Sequence, residues 1–250
     1  MTETEWQECI SPELMLAHLG ERASLRKRRL FACASVRRVW LLLGDDRLRQ
    51  AVKVAERFAD GRVAAKVVDK ARQLARRLRE ERETVERREA TWMARAARAA
   101  AQAVESLLPE QGPILIAPRD VRDAPDVVSA TRTARTAARA AEAQCEKDSA
   151  AAIELIRRLP ALDAVDLLRE IFGNPFRSTG IDPRWLDWKD DIIPKMARVI
   201  YRKRCFRNLP ILADALEDAG CRDPAILMHC RAPVDHARGC WVVDAVLGMT

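Results

Sequence analysis

Glycine and proline are scarce in this chain, nine and twelve among 250 residues, and aromatic residues make up only 5%. A β-sandwich or barrel needs frequent turns and many strand-forming residues, so this scarcity argues against both. The longest apolar runs, such as Val39-Trp40-Leu41-Leu42-Leu43, fall far short of the roughly 20 residues that cross a bilayer. The opening MTETEWQECI lacks a basic segment followed by an apolar core, so no secretory leader and no membrane partner are expected. The glycines are scattered singly, which leaves no phosphate-cradling loop. With only three histidines, one of them His18 in a predicted helix, no Ser-His-Asp arrangement can be read. Cys-x-x-Cys is missing too. The seven cysteines are odd in number and widely scattered, which fits a disulfide framework poorly and points to reduced thiols in a cytoplasmic protein.

What the chain does have is alanine, the best helix former, and a hydrophobic content of 48% that supports a real core. The expected fold class is therefore all-α. The net charge of +7 comes from 44 cations set against 37 anions, a balance that mostly describes a solvated, salt-bridged surface. Residues 1–61 read as an N-terminal helical block. Ser11-Pro12-Glu13 is a helix start with proline at the first position and acid near the positive dipole end, and Gly20 is a stop. A second helix is expected from Ser24 to Leu43, with a stripe through Leu30, Phe31, Ala34, Leu41 and Leu42. A third begins at Asp45-Asp46, buries Leu48, Val52 and Ala55, and ends near Gly61.

Residues 62–159 differ in kind. From Arg62 to Leu108 there is neither glycine nor proline, and Val67, Ala71, Leu74, Leu78, Val85, Trp92, Ala96, Ala99 and Ala103 keep mostly heptad-like steps, interrupted at Glu81 and Arg88. The pattern predicts one helix about 70 Å long at 1.5 Å per residue. The proline-punctuated stretch from Pro109 to Pro125 would turn the chain. A second helix from Asp126 would then offer Ala134, Ala138, Ala141, Cys145, Ala152, Leu155 and Leu159 as its seam. The expectation is a long, projecting, Ala/Arg-rich antiparallel hairpin, coiled-coil-like. The same seam also permits a homodimer through the hairpin.

Residues 160–250 form a C-terminal helical block: Ala164–Phe172, a helix begun at Trp185 and kinked or restarted at Pro194, then Leu209–Ala219, Pro224–Cys230 and a last one from Gly239. Glu5-Trp6, Arg28-Arg29-Leu30-Phe31-Ala32-Cys33 and Arg37-Arg38-Val39-Trp40 are distinctive strings. So are Ile171-Phe172-Gly173-Asn174-Pro175-Phe176-Arg177, Leu209-Pro210-Ile211-Leu212-Ala213-Asp214-Ala215-Leu216, His229-Cys230-Arg231 and Arg238-Gly239-Cys240-Trp241-Val242-Val243-Asp244. In these the chain resembles a large paralogous family of uncharacterised planctomycete proteins. The resemblance covers both end blocks. It implies that block 160–250 packs with 1–61 into one head from which the hairpin projects, and it implies no particular chemistry.

Three groups of residues are candidates for function. Cys221, His229, Cys230, His236 and Cys240 place five soft or imidazole ligands within one short segment, enough for one structural zinc, although the spacing matches no zinc-finger template; the alternative is no metal, with small buried thiols. Cys230, beside His229 and Arg231, and Cys240, beside Gly239, also raise the reading of a cysteine-dependent enzyme, which needs an accessible thiol of lowered pKa. Asn174 and Arg177, with Trp185 and Trp188 as walls, are a candidate ligand site; the competing reading is a helix stop pinned by Phe172 and Phe176. Lys195, Arg198, Arg202 and Arg207 lie in a run from 192 to 207 without an acid and are a candidate nucleic-acid-binding stripe. The leading reading is a non-enzymatic interaction or scaffold module binding a protein partner. The nucleic-acid binder and the cysteine enzyme are the alternatives.

Overall fold

The computed structural model describes residues 1–40, 43–89, 92–108, 164–177 and 180–249. Every regular element among them is helical. Contacts divide the chain into two compact units, one of Met1–Lys27 with Val165–Thr250 and one of Arg28–Ala164.

The first unit begins with α1 (Glu3–Glu8) and α2 (Pro12–Leu19). Thr2 and Glu5 close a reciprocal capping box on α1, with Thr2 N donating to Glu5 Oε2 at 2.7 Å. The Ser11 hydroxyl accepts from Leu14 N at 3.4 Å and Pro12 takes the first helical position of α2, as the sequence predicts. α3 (Leu25–Arg38) starts in this unit and runs on into the second.

Within the second unit, α3 buries Leu30, Phe31, Cys33 and Ala34, and it ends at Arg38, short of the predicted Leu43. α4 (Asp46–Ala59) is capped by Asp45, whose side chain accepts from Arg47 N at 2.8 Å, and it buries Leu48, Val52 and Ala55 as expected. α5 (Ala65–Glu89) and α6 (Trp92–Ser106) follow. The expectation of one unbroken helix from 62 to 108 is overturned here. α5 packs extensively against α6 and also against α4. Arg79 Nε lies 2.7 Å from Glu105 Oε2, although 26 positions along a continuous helix span about 39 Å. The chain has therefore reversed between the two helices, and Ala75, Leu78, Ala100, Ala101, Ala103 and Val104 are fully buried. The second arm expected from Asp126 to Leu159 lies outside the described residues.

The C-terminal part of the first unit comprises α7 (Ala164–Phe172), α8 (Pro183–Leu186), α9 (Ile192–Lys203), α10 (Leu209–Asp218), α11 (Pro224–Arg231) and α12 (Trp241–Leu247). α9 buries Ile193, Ala197, Ile200 and Tyr201, an i, i+4, i+7, i+8 stripe that predicts its inward face from sequence alone. That stripe joins Leu209, Leu212 and Leu216 of α10, Ile226 of α11 and Val242, Val243 and Val246 of α12 in one core. Each fully buried leucine there contributes about 2 kcal/mol, several times what a buried alanine methyl supplies.

The amino-terminal segment is tied to this core by charged groups rather than by apolar area alone. Arg26 makes a bidentate pair with the buried Asp244, at 2.7 and 3.1 Å, and also donates to the Tyr201 hydroxyl at 2.7 Å. Arg169 of α7 donates to the carbonyls of Trp6, Gln7 and Cys9 at the end of α1, at 3.1, 2.6 and 3.0 Å. A guanidinium placed there satisfies the orphan carbonyls of the helix terminus and its negative dipole end together.

Candidate metal centre

α7, α11 and the turn before α12 bring Glu170, His229, His236 and Cys240 together, with one ligand atom from each within 4.8 Å of all the others. The placement follows from the helical pattern. Glu170 sits on the apolar face of α7 with Leu167 and Ile171, so folding carries its carboxylate inward. His229 lies in the last turn of α11, beside the buried Cys230, and Cys240 is the residue immediately before α12.

The distances describe a small polyhedron. His229 Nε2 is 3.2 Å from Cys240 Sγ and 3.2 Å from Glu170 Oε2, while His236 Nδ1 is 2.9 Å from the same carboxylate oxygen. With Zn–N near 2.0 Å and Zn–S near 2.3 Å, a tetrahedral ion has N···S edges of about 3.5 Å and N···O edges of about 3.3 Å. These three edges are slightly shorter, the other three lie within 4.8 Å, and the donor types suit zinc.

Without an ion the same atoms form a hydrogen-bonded network. Ala237 N donates to Glu170 Oε1 at 3.2 Å, and the Trp241 indole N–H donates to His229 Nδ1 at 3.1 Å. Burial alone would raise the Glu170 carboxyl, but hydrogen bonds from His229 and His236 outweigh it and bring the carboxyl down to about 2. Nε2 of His236 is buried with no hydrogen-bond partner among the described residues.

The Trp241 contact opposes a metal at one point. An indole N–H can only donate, so a neutral His229 that accepts it at Nδ1 carries its own proton on Nε2, facing Glu170 and Cys240. A metal on Nε2 displaces that proton and requires it on Nδ1, where two N–H groups would face each other. Metal binding therefore has to break the Trp241–His229 hydrogen bond. That costs about 1–3 kcal/mol for each buried donor left unpaired, against the roughly 10–16 kcal/mol that structural zinc contributes in zinc-finger peptides. The residues fit zinc with this local adjustment and a second at His236, where a metal on Nδ1 moves the ring proton to the buried, unpartnered Nε2.

Of the five ligands predicted from sequence, His229, His236 and Cys240 come together, while Cys221 and Cys230 are not among the four and are fully buried in the core. Glu170 was missed because it lies 59 positions before His229 (229 − 170), beyond any spacing rule. Its one signal is a glutamate at an apolar-stripe position of an amphipathic helix.

The cysteine-enzyme reading needs an accessible, acidic thiol, and the structure places the opposite at both candidates. Cys230 and Cys240 are fully buried. Burial pushes the Cys230 thiol up to about 12 and the Cys240 thiol well above its ordinary value.

At the other predicted sites, Asn174 Nδ2 and Arg177 Nε both reach Glu3 Oε1 at 2.7 Å, so these two side chains hold the amino-terminal helix. Trp185 and Trp188 are half-buried against the core. Lys195, Arg198, Arg202 and Arg207 are all exposed, and Lys195 donates to the Asp190 carbonyl. No described helix is long and apolar enough to cross a membrane. No protein-family model, curated protein or solved structure matches this chain.

Proposed function

We propose that the chain is a non-enzymatic interaction module, a scaffold for a protein partner, whose first unit is stapled by one structural zinc ion held by Glu170, His229, His236 and Cys240. The observation behind this reading is the convergence of four zinc-type ligand atoms from three separate segments within 4.8 Å. Four protein ligands would fill a tetrahedron and leave no open position for substrate, which is the pattern of a structural rather than a catalytic zinc. The high, buried thiols at Cys230 and Cys240 support the same non-enzymatic side.

The test is metal content by mass spectrometry on untagged, reduced protein, with melting followed before and after a chelator. One zinc per chain, lost in Cys240→Ser and His236→Ala, with a chelator-induced fall in Tm, is the expected result. The Trp241 indole N–H resonance should also shift on zinc loading, because its hydrogen bond to His229 Nδ1 is released. Protein purified and reconstituted without any zinc uptake would overturn the reading and leave the four residues as a hydrogen-bonded staple.

A second reading, a nucleic-acid binder, is favoured by α9. Arg198 and Arg202 stand one turn apart on its exposed face, and neither has an ion-pair partner among the described residues. Arg198→Glu with Arg202→Glu should then abolish retention of DNA or RNA at low salt. Unaltered retention sinks this reading.

A further inference from the structure

A cleft of about 630 Å³ opens in the first unit, beside but separate from the Glu170 cluster. Its volume lies within the range of small-molecule pockets. Leu19, Phe172, Ile181, Leu186 and the Trp241 ring give it mostly apolar walls, while Lys27 and Asp244 supply polar groups and Arg22 a further cation.

Lys27 is the polar group of the cleft with donors to spare. Asp244 is 1% exposed and its two oxygens are taken by Arg26 at 2.7 and 3.1 Å. Lys27 lies 4.0 Å from Asp244, too far for a hydrogen bond, and donates to the Ile171 carbonyl at 2.7 Å. An ammonium has three N–H donors, and this is the one hydrogen bond that the Lys27 ammonium makes among the described residues. Arg22, with its guanidinium on the His18 carbonyl at 2.9 Å and on the His18 ring at 3.0 Å, adds positive charge. Glu170 acts on Lys27 only weakly, behind burial, Asp244, Arg26 and Cys240, and its carboxylate is engaged by His229, His236 and Ala237. Among the described residues lining the cleft, Lys27 and Arg22 are the cations and Asp244, held by Arg26 in a bidentate pair, is the carboxylate. Burial pushes the Lys27 ammonium below its ordinary pKa, although Asp244 acts the other way. An anion in the cleft would supply what Lys27 lacks.

The walls narrow the choice of anion. Phosphate is best held by a fork of several donors, often an arginine cluster. Here the Arg22 guanidinium is turned onto His18 through Nη2, and the Lys27 ammonium sits among aliphatic and aromatic side chains, so the matching ligand has a single negative charge and an apolar body. We propose that the cleft binds a small monocarboxylate with an aromatic body, its carboxylate on Lys27 and its ring among Phe172, Leu186 and Trp241. This goes beyond the zinc reading and does not rest on it.

The test is calorimetric titration of the full chain with phenylacetate and indole-3-acetate, with phenylacetamide and inorganic phosphate as comparisons. At least one acid should bind, phenylacetamide should bind about tenfold more weakly or worse than phenylacetate, and phosphate should neither bind nor compete; tenfold is the lower end for one charge-assisted hydrogen bond. Lys27→Met, which removes the charge and keeps the stem, should lose the acid by a similar factor. Equal binding of acid and amide, undiminished binding by Lys27→Met, competition by phosphate, or no heat from either acid at millimolar concentration would each overturn the proposal. If Lys27→Met does not fold, the acid–amide comparison in the natural sequence decides alone.

Discussion

Gly173 shows how narrowly single residues are chosen around this core. Its φ is +66°, and a Cβ built on it would stand 3.0 Å from Cγ of Trp241. Any side chain there meets both a strained backbone and the indole that reaches His229. Gly173→Ala should cost about 1–3 kcal/mol by overpacking alone, read as a lower urea midpoint with unchanged slope. A variant as stable as the parent would mean that the indole is not held against this turn. Glu3 makes a second residue-level point. Its carboxyl is held below the ordinary range first by the hydrogen bond from Asn174 and then by Arg177. A carboxyl lowered on folding stabilises above its unfolded pKa, and that contribution is lost as pH falls through the folded value. Asn174→Ala should therefore move the Glu3 titration, followed by carboxyl-carbon NMR, up toward that of a free glutamate. An unmoved titration would remove Asn174 from its role in holding α1.

At the scale of elements, the informative case is the reversal between α5 and α6. The stretch from Arg62 to Leu108 contains no glycine or proline, and its small apolar residues repeat with nearly the same period on both sides of the break. Local propensity therefore favours helix throughout, and periodicity does not say whether the seam faces another chain, a distant arm or its own continuation. What decides for reversal is burial: α5 alone carries too much exposed seam, and folding back covers Ala75 and Leu78 within the unit that also buries Ala100, Ala101 and Val104. Spin labels on Arg79→Cys and Glu105→Cys should report a separation of about 20 Å or less, where a continuous helix would place them about 39 Å apart. A distribution centred on the longer distance would restore the single long helix.

At the scale of the whole molecule, the two units differ in what holds them. The second buries many alanine methyls beside Leu30, Phe31, Leu48 and Leu78 and the Arg37–Glu56 pair, whereas the first adds to its leucines the Arg26–Asp244 pair, the Arg169 cap and the Glu170 cluster. Removing a metal from that cluster should loosen α7, α11 and α12 and leave α4, α5 and α6 as they were. Hydrogen exchange before and after chelation checks this; faster exchange spread evenly over both units would contradict a staple local to the first.

Helix content, most helix starts and the inward faces of α4 and α9 were legible in the sequence, because capping and apolar spacing are local and act over one or two turns. The second unit's reversal was not, since alanine-rich helix favours no one partner. The candidate site was half legible. His229, His236 and Cys240 stand close in the chain and attract notice as ligand types, while Glu170 enters only when α7 packs beside them. Cys221 and Cys230 look equivalent to Cys240 as letters and are separated from it by where helix packing puts them in the core. Trp241, which fixes the proton of His229 and walls the adjacent cleft, acquires both roles from tertiary contact alone. Residue types set which chemistry was available; the packing of three distant segments decided which side chains share it.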